Sequence, residues 1–285
     1  MVRKFQLKNE KGQTFSLMDI ENYCFLTEPN GLGYAYSNDY VNLGNSFILN
    51  LRVLEQGQIS GQLNFLCYDN YKKFVDYIEG SEKLYFSYIV PYKSGSKEFL
   101  RDIQMTDVSK TEIQPNGVMS ENVIFTCLTL WYATATAIYT IDSNGGDEIR
   151  WDFTWDSYFA GYDARDLSII NTGHTDATIE VSIDGQVANP ELQLYIENDL
   201  YQDIKVTDVI DSYEKFLYSS KEGDFYIKKE NTDGTYTSLL DLSVIDFSQN
   251  LVIRIPKNKS CRLVLNADNN ISRATVTIFV YYKAV

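Results

Sequence analysis

The densest collection of reactive and ligand-binding side chains lies between Ile149 and Arg165. There Trp151, Phe153, Trp155, Tyr158, Phe159 and Tyr162 interleave with Asp152, Asp156 and Asp163. Aromatic faces stack on sugar rings, and two carboxylates can serve as acid and base on either side of a glycosidic bond. Trp151, Trp155 and Tyr158 are therefore candidate glycan-binding residues, and Asp152 or Asp156 with Glu148 is a candidate hydrolytic pair. The spacing also has a plainer explanation. Trp151, Phe153 and Trp155 stand at i, i+2 and i+4, so on a strand they share one face while the aspartates share the other. Burial of that aromatic face accounts for the pattern without a substrate, and packing is the stronger of the two explanations.

The remaining chemistry is sparse. His174 is the single histidine, so a Ser-His-Asp triad would depend on it alone, and it sits beside Asp176 in a turn ahead of a strand. No Gly-x-Ser-x-Gly nucleophile elbow occurs. The segments Asp142-Ser-Asn-Gly-Gly-Asp-Glu148 and Asp268-Asn-Asn270 offer oxygens to a cation without the spacing of an EF-hand loop. Gly31 and Gly33 precede no helical pattern, so they indicate loop geometry and not a phosphate cradle. Cys24, Cys67, Cys127 and Cys261 match no CxxC spacing; Cys67 and Cys127 end alternating strands, so buried free thiols are the favoured reading and disulfides the lesser alternative. No catalytic residue, metal or cofactor is assigned.

These groups have to be positioned by a largely β scaffold. With 22 Tyr and 15 Phe against only 5 Pro, the composition favours strands and excludes a disordered chain. A length of 285 residues fits two domains. The strongest breaker, Asp142 to Asp147, divides the chain into a domain over 1–140 and another over 141–285. The net charge of −14 argues against nonspecific nucleic-acid binding, which needs a concentrated positive face. The first ten residues lack the apolar centre of a signal peptide. No apolar run approaches the ~20 residues of a membrane helix. Synthesis in the cytoplasm and a soluble product are expected.

In chain order, Phe5 to Leu17 reads as a hairpin turning at Asn9 to Gly12. Tyr40 to Gln58 has a weak pattern and is compatible with a long exposed loop or a β-arm. Ile59 to Cys67 alternates as a strand. Asp69 then offers an N-cap to a helix whose Tyr71, Phe74, Val75 and Ile78 form one apolar stripe ending at Gly80. Strands follow at 84–90, 99–105, 108–113 and 118–130, the last two joined by the turn Gln114-Pro-Asn-Gly117. In the second half, strands at 203–209, 216–218, 225–229, 235–240, 251–255, 263–267 and 276–280 describe an antiparallel sandwich. Lys257, Lys259, Arg262 and Arg273 read as a solvated basic rim paired with acidic neighbours. The fold class is mainly β: an N-terminal β-sandwich-like domain with one α-helix, then a C-terminal galectin-like or jelly-roll β-sandwich.

Asn171 to Ile196 is the most regular stretch. Ile179, Val181 and Ile183 alternate with polar residues, as do Leu192, Leu194 and Ile196, with Asp184-Gly185 and Asn189-Pro190 as punctuation between them. Two half-buried strands joined by a corner are expected.

The order Asn171-Thr-Gly173, Ile179 to Ile183, Gly185 and Asn189-Pro190 resembles the second domain of the distal tail proteins of long-tailed phages that infect Gram-positive bacteria. Ile59-Ser-Gly-Gln-Leu63, Arg101-Asp-Ile103 and Leu130-Trp-Tyr132 look like the family's ring-forming first domain. The chain departs from the pattern at Thr178, where a proline often stands, and in its aromatic junction from Trp151 to Tyr162. The resemblance implies a non-enzymatic homohexameric ring at the virion tail tip that lets DNA pass. It would join the tail tube protein to the tail-associated protein and to receptor-binding protein. Tyr40, Phe47, Leu49 and Leu51 are then candidate subunit contacts. Two other functions compete with the hub: a carbohydrate-binding module acting in host cell-wall adhesion, and a glycoside hydrolase.

Overall fold

The computed structural model describes residues 4–19, 23–93, 95–140, 166–241, 243–247 and 250–285. The aromatic–carboxylate cluster, with Glu148, Trp151, Asp152, Trp155, Asp156 and Tyr158, lies outside the described residues, as does the oxygen-rich segment 142–148. The chain is mainly β, in antiparallel sheets, with one helix among the described residues. It forms two compact units, one of 1–133 with 282–285 and one of 134–281.

In the first unit, the long strand Gly95–Val108 belongs to two layers. Its first part pairs with Leu84–Tyr92, which in turn pairs with Lys4–Asn9 and through it with Thr14–Ser16. Its second part pairs with Met119–Cys127, followed by Gln58–Phe65 and Cys24–Asn30. Aromatic rings fill the space between. Phe86 lies 5.7 Å from Phe5, 6.0 Å from Phe125 and 6.1 Å from Trp131, and all four are buried. Each large apolar side chain buried this way contributes about 1.5–3 kcal/mol.

The helix Tyr68–Glu79 closes one side of this core through Phe74, whose ring meets Phe15 and Phe65 at 5.7 Å each. Phe74 and Ile78 are buried, as the apolar stripe requires, and the helix ends at Gly80. Its N-cap is Cys67 and not Asp69, which falls inside the first turn. There the carboxylate faces the positive end of the helix without capping it. Cys67 is exposed, contrary to expectation, because it has left the strand to start the helix. The expected strand over 108–113 does not form. Glu121, fully buried, takes the Thr111 N–H on both carboxylate oxygens at 2.9 and 2.8 Å, and so supplies a side-chain partner where a ladder would have been. The turn at 114–117 is present, with Gly117 N–H donating to the Gln114 carbonyl at 2.8 Å.

The second unit is a sandwich around one apolar core. One sheet places Thr178–Asp184 between Lys215–Ser219 and Arg273–Tyr282, and continues through Tyr226–Glu230 to Tyr236–Ser238. The other runs Asp166–Ile170, Ser260–Asn266, Glu191–Ile196, Asp199–Val206 and Ile245–Phe247. The two strands of the 171–196 stretch thus lie in opposite sheets. Ile179, Val181 and Ile183 face Leu192 and Leu194 across the core. The corner between them needs Gly185, where a Cβ would stand 2.0 Å from the Asp211 carbonyl oxygen. Asn171 anchors the entry. Its amide donates to the Thr175 and Ile255 carbonyls at 2.9 Å each, and its side-chain oxygen accepts the Gly173 N–H at 2.9 Å.

The four cysteines are free, and three are buried. Burial pushes the Cys24 thiol up to about 12 and the Cys261 thiol up to about 11, from an ordinary 9.0. The folded chain therefore keeps protons that the unfolded chain releases from about pH 9. This stability is fully present below pH 9 and falls across pH 9–11 for Cys261 and pH 9–12 for Cys24. Melting temperature is expected to drop progressively over that range, and the Cys24→Ala/Cys261→Ala variant to drop less steeply. Parallel curves for the two proteins would refute the assignment.

A candidate subunit interface

The other sequence-derived site residues do not assemble into a reactive centre. His174 is exposed in its turn, its backbone N–H held by the Tyr281 carbonyl at 2.8 Å. The Asp268 and Asn269 side-chain oxygens are engaged by the protein. Asp268 accepts from the Asn189 amide and lies 3.6 Å from the Lys205 ammonium, while Asn269 accepts the Ala188 N–H at 2.9 Å. No group of three or more His, Cys, Asp or Glu with metal-binding geometry occurs among the described residues. In the basic rim, Lys259 pairs with Glu197 at 2.9 Å, Arg262 with Asp166 at 2.6 Å and Arg273 with Asp184 at 3.9 Å. No helix among the described residues is long and apolar enough to cross a membrane.

The feature that stands apart is a hairpin of the first unit. Tyr36–Asn42 and Phe47–Leu54 pair only with each other. The tip closes through Leu43 N–H to the Ser46 carbonyl at 2.8 Å, with Gly44 at φ +87°. Apart from Tyr36 and Leu54 at the root, every residue of both strands is exposed. The weakly patterned segment is thus a β-arm, and Tyr40, Phe47, Leu49 and Leu51 lie on it at 54, 69, 46 and 56 % exposure.

The cross-strand register sorts these side chains. Val41 opposite Ile48, Leu51 opposite Asp39 and Val53 opposite Ser37 occupy one face. Tyr40 opposite Leu49 and Phe47 opposite Asn42 occupy the other. Both faces are therefore apolar in the monomer, and both edges are unpaired among the described residues. An isolated two-stranded hairpin is marginal in water, and contiguous exposed apolar surface marks an association site. Sequence periodicity could not identify it, because a strand apolar on both faces shows no alternation.

The root of the arm is built firmly. Pro29 to Ala35 and Gln56 to Gln58 surround a cleft of about 500 Å³. Gly31 holds φ +82°, and a Cβ there would stand 1.7 Å from the Gln58 carbonyl oxygen. Trp131 donates its indole N–H to the Leu32 carbonyl at 3.0 Å, and Gln56 donates to the Cys127 carbonyl at 3.1 Å. Beneath Gly57 lies Arg101, 4 % exposed, donating Nε–H to the Thr129 carbonyl at 2.7 Å with its guanidinium 5.6 Å from the Trp131 ring. Burial pushes this guanidinium below its ordinary value, and Cys127 acts in the opposite direction. Arg101 and Trp131, which stand in two of the motifs that carry the resemblance, thus support the base from which the arm projects.

Fold and site together define a mainly β protein with an exposed apolar arm. Residues 4–128 match the family model for the distal tail protein, N-terminal domain. A curated relative, the distal tail protein of Lactococcus phage SK1, is 25 % identical over 151 residues, covering 51 % of this chain and 50 % of that one. The chain thus aligns with about half the length of this relative. A chain of the phage P2 baseplate in its activated conformation with calcium superposes with a TM-score of 0.69 at 19 % identity, covering 100 % of both chains. The Dit protein of phage SPP1, described as a paradigm of the hub adsorption apparatus in phages infecting Gram-positive bacteria, gives 0.53 at 12 % identity. That match covers 96 % of this chain and 98 % of the other. The similarity to distal tail proteins therefore rests on the first domain by sequence and on the whole fold by structure.

Proposed function

We propose that this chain is a structural hub of a phage tail tip that assembles as a homohexameric ring, with the arm of each copy buried against its neighbour. The observation that carries the reading is the arm, whose two apolar faces have no cover among the described residues. A head-to-tail contact of this kind repeats around a closed ring and covers the arm of every copy at once. In this reading the ring joins the tail tube protein to the tail-associated and receptor-binding proteins and leaves a passage for DNA. A chain of net charge −14 gives the passing DNA no adhesive surface. The protein acts without catalysis. Negative-stain microscopy and mass photometry of the purified chain are expected to show six-fold rings whose population rises with concentration. Monomers alone, at every concentration and salt tested, would sink the reading.

A further inference from the structure

The arm root carries a contact from the far end of the sequence. Tyr36, the first residue of the arm, receives a hydrogen bond on its phenol oxygen from the Lys283 ammonium at 2.7 Å, across 247 positions. The same ammonium lies 5.4 Å from the centre of the Tyr36 ring, the Arg52 guanidinium lies 3.8 Å from it, and Tyr34 meets it edge-on at 5.5 Å. Lys283 is itself brought there by its neighbour. Tyr282 accepts a hydrogen bond from the Lys97 ammonium at 3.2 Å and packs edge-on against Phe99 at 5.4 Å, both on the strand Gly95–Val108. Residues 282–285 therefore belong to the first unit although the family model for that domain ends at 128.

The position of this contact gives it leverage. Tyr36 is half-buried, and from Ser37 to Val53 the arm is exposed, with no cover among the described residues. The direction of a cantilevered hairpin is decided at its root, where a small rotation displaces the tip by many ångströms. Other ties at this level, the Glu55 N–H to Ala35 carbonyl at 3.0 Å and Trp131 to Leu32, hold the backbone below Tyr36. Lys283 acts on the arm's own first ring.

We propose that Lys283 is a positioning residue that fixes the direction of the arm, through which one copy joins the next. This rests on the ring reading for its consequence in assembly, and on geometry alone for its effect on the arm. A cation against an exposed ring is worth a few-fold in an equilibrium constant and is weakened by salt.

The test compares the full chain with Lys283→Met, the conservative Lys283→Arg and a Lys257→Met control. Hydrogen–deuterium exchange at 36–54 is measured on dilute monomer, and ring formation by mass photometry. Lys283→Met is expected to exchange roughly threefold to tenfold faster across the arm and to require a correspondingly higher concentration to form rings. Its melting temperature should remain that of the parent. Lys283→Arg should restore both readouts and Lys257→Met should leave both unchanged. Unchanged arm exchange in Lys283→Met, or rings at the parent's concentration, overturns the proposal. If the parent chain forms no rings at all, the hub reading falls, and the exchange measurement alone decides whether Lys283 positions the arm.

Discussion

Phe47→Asp combined with Ile48→Asp is expected to leave a folded monomer at concentrations where the parent chain forms rings. The two positions are adjacent on one strand, so the substitution places a carboxylate on each face of the arm. Both side chains are exposed in the monomer, at 69 and 55 %, so the fold of the isolated chain loses little. Surface changes of this kind usually stay within about 0.5 kcal/mol. In the proposed ring the same positions would be covered by a neighbouring copy. Each interface then loses the burial of two large apolar groups and must desolvate two charges, roughly 3–6 kcal/mol together. Because every interface in a ring is the same, the loss recurs at each one. Mass photometry should show monomers only, while circular dichroism melts overlay those of the parent. Rings that persist in the double variant would show that the arm is not the contact. Lys8→Gln, which breaks the 2.7 Å pair with Glu98 elsewhere in the first unit, provides a control expected to leave assembly intact.

Gly31→Ala is expected to have the largest effect on the first unit itself. The residue combines a left-handed backbone at φ +82° with a site where an added Cβ would stand 1.7 Å from the Gln58 carbonyl oxygen. A non-glycine residue in that conformation costs about 1–2 kcal/mol, and forcing the backbone apart adds about 1–3 kcal/mol. The neighbour is backbone and cannot rotate away. The strands affected are the ones that end at Asn30 and begin at Gln58, the two sides of the arm root. A melting transition for the first unit lowered by many degrees, and loss of rings even in the surviving folded fraction, are the expected outcomes. Gly33→Ala is the matched control, because nothing lies within 4 Å of a Cβ there. Equal behaviour of the two variants would show that the close approach at Gly31 is relieved at little cost.

The contrast between those two glycines illustrates how far sequence alone reaches. Gly31 and Gly33 read as loop glycines of equal standing, and the left-handed backbone of Gly31 together with the approach of Gln58, 27 positions on, separates them. The helix at Tyr68–Glu79 was legible from the spacing of Phe74 and Ile78, because one turn of helix carries its own periodicity. Its N-cap was misplaced at Asp69, because a polar residue of capping type stood two positions inside the true start. The strand expected at 108–113 has β-forming residues, and what prevents it is the buried Glu121 carboxylate bound to Thr111. A competitor for one backbone N–H leaves no mark on local patterning.

What the sequence determined by itself is the mainly β character, the alternating core faces of the second unit and the corner at Gly185 to Pro190. Each depends on neighbours two to six positions apart, where side-chain alternation and turn chemistry act directly. What only the tertiary structure decided is that Tyr36–Leu54 stands clear of the body with both faces uncovered, and that Arg101 and Trp131 brace its root. It alone placed Lys283 on Tyr36 as well. These are contacts, or absences of contact among the described residues, between segments tens to hundreds of positions apart. Such pairings follow from which surfaces the folded sheets leave over, and that is known only once the sheets have formed.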